Sequence, residues 1–267
     1  MSYYLFNRSS EIIERINKSA ETFLFLDYDG TLVPFKDRAQ DVETPDEVKS
    51  VLNILQKHPK FKLFIISGRT LNEIKKLLDF YGLSFAALHG LQIELSNGKK
   101  FFWEQAENIR PILEEIKEKT LKDFKNEKGI NIEDKRYTLA FHYRLLPNKN
   151  IKRNIEKFEN IVKLIDTKKM LDFIYGEKVV EIRPKGWDKG KAVTEILDNI
   201  AKSDNYLPIY IGDDTTDEDA FREIGKKGIT IFIANKTNKP TAAKYWLKDT
   251  NDVLTFLESL TNIKKES

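Results

Sequence analysis

The run Phe23-Leu24-Phe25-Leu26 ends abruptly in Asp27-Tyr28-Asp29-Gly30-Thr31, and this stretch constrains the fold more than any other. An apolar run of that length bounded by Gly reads as a buried strand of a parallel sheet. In open α/β sheets ligands bind just outside the carboxyl ends of the strands, so Asp27 and Asp29 stand where a reaction centre is expected. Tyr28 lies between them, so persisting strand geometry would turn both carboxylates to one side. Like charges that close raise each other's proton affinity unless a cation intervenes, and a bound divalent ion is the natural resolution. Taken alone, the stretch also suits a strand that merely ends in an acidic Asp-Gly turn.

The rest of the chain gives that strand a context. Ser9-Ser10-Glu11 opens an amphipathic helix to about residue 19, with Ile12, Ile13 and Ile16 on one face. A polar loop over 35–44 is followed by a helix over 45–56, a strand over 61–66, a helix over 71–80 and a strand over 85–88. That alternation argues βαβ units. The texture then changes. A hairpin over 91–103 turns at Ser96-Asn97-Gly98. A charged helix over 106–125, strands over 129–132 and 137–143, a helix over 149–165 and strands over 170–175 and 179–182 follow. The order αββαββ suits an antiparallel sheet covered on one face by two helices. After Pro184-Lys185-Gly186 the α/β rhythm resumes: helix 188–202, strand 206–211, helix 217–224, strand 228–234, helix 253–260 and a frayed tail over 264–267. The expected fold class is α/β, a Rossmann-like parallel-sheet core over 1–105 and 186–267, with an α+β domain inserted at 106–185.

Composition narrows the function. With 45 basic against 42 acidic residues the formal charge is +3, which makes no case for nucleic acid as a partner. The absence of Cys excludes disulfides, thiol catalysis and thiolate metal sites. Three scattered His (His58, His89, His142) do not suit a zinc hydrolase. No apolar run approaches the roughly 20 residues needed to span a bilayer, and residues 1–7 lack a secretion pattern. A soluble, cytoplasmic monomer with no membrane partner is expected.

Three acidic or hydroxylic features share one topological position, the end of an expected parallel strand: Asp27/Asp29, Ser67 and Asp213/Asp214. Lys189 stands near the start of the helix after the insertion. Together they make an acidic pocket with one hydroxyl and one ammonium, suited to a hard divalent cation and a phosphoryl group. Mg²⁺ prefers oxygen ligands and is usually held by one or two carboxylates plus substrate phosphate. Asp27, with an ordinary carboxylate pKa near ~3.9, is ionised at neutral pH and needs no base to attack phosphorus. Asp29 can protonate the leaving oxygen and later deprotonate water. Ser67 and Lys189 suit the phosphoryl oxygens, with backbone N–H groups near Gly30 helping.

The segments DYDGTLV, ISGR, GWDKGKAV and IGDDTTDEDAF match, in order, the four signature motifs of the haloacid-dehalogenase-like phosphatases. GDDTTDEDAF with the upstream VEIRP, and FHYR within the insertion, resemble the trehalose-6-phosphate phosphatase branch. The resemblance spans about residues 23–234. It implies Asp27 as nucleophile and metal ligand, Asp29 as acid/base and metal ligand through its carbonyl, and Asp213 as the third protein ligand of Mg²⁺. It implies Ser67, Gly68 and Lys189 as phosphate-binding, and Asp214 and Asp217 as residues that orient the metal's surroundings or Lys189. The insertion resembles the family's cap, and Arg144, Glu181 and, from the core, Glu218 match sugar-binding positions. The family commonly reads Gly-Lys before the VEIRP strand where this chain has Gly176-Glu177-Lys178. Either Lys178 substitutes from one position along or that sugar contact differs. The implied reaction is hydrolysis of trehalose 6-phosphate. Alternatives are a capped phosphatase or phosphomutase acting on sucrose 6-phosphate, a glycosyl-phosphoglycerate or a hexose phosphate. From other classes, a phospho-accepting receiver would be near half this length and uncapped, and an inactive sugar-phosphate-binding regulator should lack some catalytic position.

Overall fold

The computed structural model describes residues 2–36, 41–80, 82–176, 178–225, 227–234 and 240–264. These divide into two compact units, one of Met1–Phe102 with Asp188–Ser267 and one of Trp103–Trp187. The first unit begins with β1 (Tyr3–Tyr4), α1 (Ser9–Lys18), β2 (Glu21–Asp27), α2 (Asp46–Gln56), β3 (Phe61–Ile66), α3 (Leu71–Leu78), β4 (Ser84–Ala87), β5 (Gln92–Glu94) and β6 (Lys100–Phe102). The second comprises α4 (Arg110–Asp123), β7 (Asn131–Asp134), β8 (Leu139–His142), α5 (Asn148–Ile165), β9 (Leu171–Gly176) and β10 (Val179–Pro184). The chain then completes the first with α6 (Lys189–Ile200), β11 (Tyr206–Gly212), α7 (Asp217–Ile224), β12 (Ile229–Ile233), β13 (Tyr245–Leu247) and α8 (Thr250–Thr261).

Among the described residues the first unit holds one sheet in the order β1-β13-β12-β11-β2-β3-β4-β5-β6. All pairings from β1 through β4 are parallel, and β5 and β6 add an antiparallel hairpin at one edge. The α/β fold class is therefore as the sequence predicts. Strand β2 lies at the centre and is buried on both faces. Leu24 and Leu26 pack with Leu63, Ile65, Ile209 and Ile211 toward α1, α2, α3 and α8. Phe23 and Phe25, the alternate residues, pack with Phe64, Tyr210 and Phe232 toward α6 and α7. This two-sided burial explains the near-continuous apolar run.

Register places the site. Asp27 is level with Ile66 of β3, and Leu26 with Ile211 of β11. Asp27, Ser67 and Asp213 consequently emerge within about one residue step at the carboxyl edge of three adjacent strands. The strand does not persist as far as Asp29. It ends at Asp27, Gly30 takes φ +85°, and Asp29 forms only an isolated bridge with Val33.

In the second unit β7-β8-β10-β9 form an antiparallel sheet with α4 and α5 packed on one face. The helix expected from residue 106 starts as a 3-10 turn over Glu104–Ile109 and becomes α-helical only at Arg110, where Pro111 fits the first turn because it needs no N–H partner there. The strands β1 and β13 were not expected. At two and three residues they are too short to show alternation, and they exist because each finds a parallel neighbour. No described helix is long and apolar enough to cross a membrane.

The core of the second unit centres on Phe141, fully buried, stacked on Phe158 at 4.6 Å and edge-on to Phe124 at 5.1 Å. Phe141→Ala should lower stability by about 3–5 kcal/mol through lost burial and a residual cavity. Urea unfolding followed by circular dichroism measures it.

Candidate active site at the carboxyl edge of the parallel sheet

Each side chain of the site is delivered by a strand end or a helix start. Asp27 closes β2 and is 5% exposed. Lys189 is the first residue of α6, fixed there by Asp188, whose side chain caps the helix through the Lys191 N–H at 2.8 Å. Gly212 closes β11, and the chain turns so that the Asp213 and Asp214 N–H groups both donate to Asp217 Oδ2 at 3.0 Å. A Cβ on Gly212 would overlap the Asp217 carboxyl group, so the turn requires Gly.

The centre of the arrangement is the buried Lys189 ammonium. It donates to Asp27 Oδ1 and to Asp217 Oδ1, each at 2.7 Å. Tyr210 OH donates to the same Asp217 oxygen at 2.8 Å. Burial alone would lower the Lys189 pKa, but the carboxylates of Asp217 and Asp27 outweigh it and hold the ammonium well above its ordinary value. Burial likewise pushes the Tyr210 phenol well up, with Asp217 and Asp27 adding to it, so it remains a donor.

One ammonium does not balance what surrounds it. Carboxylate oxygens of Asp27, Asp213 and Asp217 lie within 4.8 Å of one another. Burial pushes Asp27 up to about 7, with Lys189 opposing and Asp217 and Asp29 adding. Burial pushes Asp213 up to about 9, with Asp27, Asp217 and Asp214 adding. The ready ionisation expected of an ordinary aspartate is thus opposed at Asp27 by its burial. Asp213 Oδ1 is buried without a hydrogen-bond partner. Asp217 is different, because its two oxygens already accept from Lys189, Tyr210 and two backbone N–H groups. The open donors of the cluster are therefore Asp27 and Asp213. An all-oxygen set, one orphaned buried oxygen and three carboxylates that, if all ionised, exceed the Lys189 charge by two fit a divalent hard cation.

The remaining expected residues are placed as follows. Asp29 lies outside this cluster, and its carboxylate is forked by Arg69, with Nε to Oδ2 at 2.7 Å and Nη2 to Oδ1 at 2.6 Å. The carboxylates of the two Asp of the first motif therefore do not meet in one cluster, because the strand ends between them. Ser67 is buried after β3 and accepts the Arg69 N–H at 3.1 Å, and Gly68 lies against the His89 ring. Asp214 Oδ1 accepts the Thr215 N–H at 2.7 Å, and Glu218 in the first turn of α7 accepts the Ala242 N–H at 2.8 Å. Arg144, Lys178 and Glu181 belong to the second unit. Glu181 pairs with Lys135 at 3.3 Å on a strand row where Glu133 and Ala140 are level with it. Lys178 stands at φ +62° before β10, its carbonyl accepting the Tyr143 N–H, and Arg144 is half-buried just after β8. Glu177 lies outside the described residues. Arg69 and Tyr210 escaped the sequence reading. The only signal for Arg69 was its place directly after Ser67-Gly68, and for Tyr210 an aromatic hydroxyl within an otherwise apolar strand.

The trehalose-phosphatase family model matches residues 25–251. The chain belongs to the trehalose-phosphatase family. The Arabidopsis thaliana protein named "Probable trehalose-phosphate phosphatase C" is 34% identical over 96% of this chain and 83% of its own length. Among solved structures, the C-terminal domain of the C. albicans trehalose-6-phosphate phosphatase superposes with a TM-score of 0.86, at 22% identity, over 99% of each chain. A haloacid dehalogenase-like hydrolase from Bacteroides thetaiotaomicron has a TM-score of 0.63, at 16% identity, over 90% of this chain and 99% of its own. At those identities the two structures establish the haloacid-dehalogenase-type fold, and the family membership carries the class of enzyme, a phosphoric monoester hydrolase.

Asp217→Ala should destabilise the protein by about 3–5 kcal/mol, because it strips a buried ammonium, a phenol and two backbone donors of their common acceptor. Thermal and urea unfolding of the metal-free protein check this without recourse to activity.

Proposed function

We propose that this chain hydrolyses trehalose 6-phosphate to trehalose and inorganic phosphate by way of an aspartyl-phosphate on Asp27. The observation that carries the reading is the buried Lys189–Asp27 contact at 2.7 Å, beside the orphaned Asp213 oxygen, in a member of this family. Asp27 supplies an oxygen that forms a bond to phosphorus as the phosphorus–sugar oxygen bond breaks. Asp29 gives its proton to the departing sugar oxygen. In the second half, water attacks phosphorus, Asp29 takes the water's proton, and the Asp27–phosphorus bond breaks to release phosphate. Lys189, Ser67 and the Gly68 backbone hold phosphoryl oxygens, and the buried site strengthens each of these contacts. Asp214 and Asp217 support the arrangement, Asp217 through Lys189.

Mg²⁺ is the proposed cofactor, held by Asp27, Asp213 and the Asp29 carbonyl. When bound, it offsets the charge of the phosphate dianion against the surrounding carboxylates. The sugar-binding roles of Arg144, Lys178, Glu181 and Glu218 rest on motif resemblance, with residues 106–185 as the cap and residues 1–105 and 186–267 as the core.

The test is a substrate panel run with and without chelator. Trehalose 6-phosphate should be preferred over sucrose 6-phosphate and glucose 6-phosphate, with activity lost on chelation and restored by Mg²⁺. Preference for another sugar phosphate would refute the substrate assignment. Asp27→Asn should lower turnover by at least about 10⁴-fold while leaving the fold intact. In quenched wild-type reactions, labelled phosphate should be found on Asp27.

A further inference from the structure

Asp29 depends on one neighbour for its orientation. Both of its oxygens are engaged by the Arg69 guanidinium in a two-bonded fork at 2.6 and 2.7 Å, the strongest geometry available to a carboxylate–cation pair. Arg69 is itself held on several sides. Its N–H donates to Ser67 Oγ, and its carbonyl accepts the Leu88 N–H at 2.9 Å. Its guanidinium lies 5.6 Å from the centre of the Tyr28 ring. That ring is fully buried and anchored through its hydroxyl to Thr44 Oγ1 at 2.6 Å. Directly after Arg69 a reciprocal cap between Thr70 and Glu73 starts α3. The Asp29 side chain remains 26% exposed whereas that of Arg69 is 10% exposed, so the fork leaves the carboxylate open to an incoming group.

From this geometry we infer that Arg69 is a positioning residue for the leaving-group step, holding the Asp29 carboxylate at the orientation from which it serves the departing sugar oxygen. Asp29 lies beyond the end of β2, where no ladder fixes it, and Gly30 follows at φ +85°. Without the fork the carboxylate is free to rotate. Correct placement of a reacting group carries much of catalysis, and small misplacements are costly. A lysine cannot substitute fully, because one ammonium cannot meet both oxygens in a plane. The inference rests on the assignment of Asp29 as acid/base, and its test separates the two.

The measurement is kcat/KM, which contains only steps up to phosphorylation of Asp27, for two substrates of unequal leaving group. Trehalose 6-phosphate must expel an alkoxide that needs a proton, whereas p-nitrophenyl phosphate expels a stable phenolate that does not. Arg69→Gln should lower kcat/KM by about 10²-fold on trehalose 6-phosphate and by less than about threefold on p-nitrophenyl phosphate. Arg69→Lys should show the same split at smaller size, and it carries the test if the Gln variant does not fold. Equal losses on both substrates, or no loss on either, overturn the inference. Asp29→Asn is the control. If it shows the split and the Arg69 variants do not, the inference alone fails. If Asp29→Asn spares trehalose 6-phosphate, the acid/base assignment fails and the inference with it.

Discussion

The Lys189 ammonium, 2% exposed and shared between Asp27 and Asp217, is the interaction on which the site depends. It joins three elements: the end of β2, the start of α6 and the start of α7. A buried cation is tolerated only when paired and hydrogen-bonded, and removing one partner of such a set is far more costly than never having built it. The pairing therefore ties the chemistry to the fold. The segment carrying Lys189 returns to the first unit after the insertion, and its ammonium meets both Asp27 at the end of β2 and Asp217 at the start of α7.

The charges show why this arrangement suits phosphate only conditionally. Lys189 offsets one of the three carboxylates of the cluster, and a phosphate dianion would add two more negative charges. Coulomb repulsion at these separations, in a site shielded from water, would exclude the substrate. The upward push on Asp27 and Asp213 and the orphaned Asp213 oxygen record the same excess from the protein's side. A divalent cation held by Asp27 and Asp213 would remove it. Asp217 is an unsuitable ligand for that cation even though its oxygens lie close, since all its acceptor directions face donors of the protein.

Much of this was legible in the chain. Strand ends carrying Asp27, Ser67 and Asp213 declared themselves because parallel strands buried on both faces are apolar throughout, so a sudden polar residue marks an edge. The αββαββ order of the insertion was legible from periodicity alone. What could not be read were features that depend on partners distant in sequence. Tyr3–Tyr4 becomes a strand only because Tyr245–Leu247 lies parallel to it. Tyr210 reads as one more aromatic in an apolar strand, and its hydroxyl gains a role only when Asp217 turns back toward it. Arg69 reads only as part of the strand-to-helix turn Ser67-Gly68-Arg69. The pattern of charges along the chain does not say which carboxylate a guanidinium will meet.

The first motif shows how one local geometry gives two neighbouring carboxylates different surroundings. Two carboxylates one residue apart would face the same way along an unbroken strand, and both would then need the same cation. The chain instead leaves the ladder after Asp27. Gly30, at φ +85°, permits the turn, and a side chain there would overlap Asp213 Oδ2 and the Phe35 ring. Asp27 is left buried with a lysine, a point charge that can share an oxygen and still leave the carboxylate able to approach phosphorus. Asp29 is left partly exposed with an arginine, whose planar fork fixes orientation more firmly than an ammonium can. The difference between the two cations matches the difference between the two tasks proposed for Asp27 and Asp29, because a nucleophile must move toward its target and a proton carrier must be aimed.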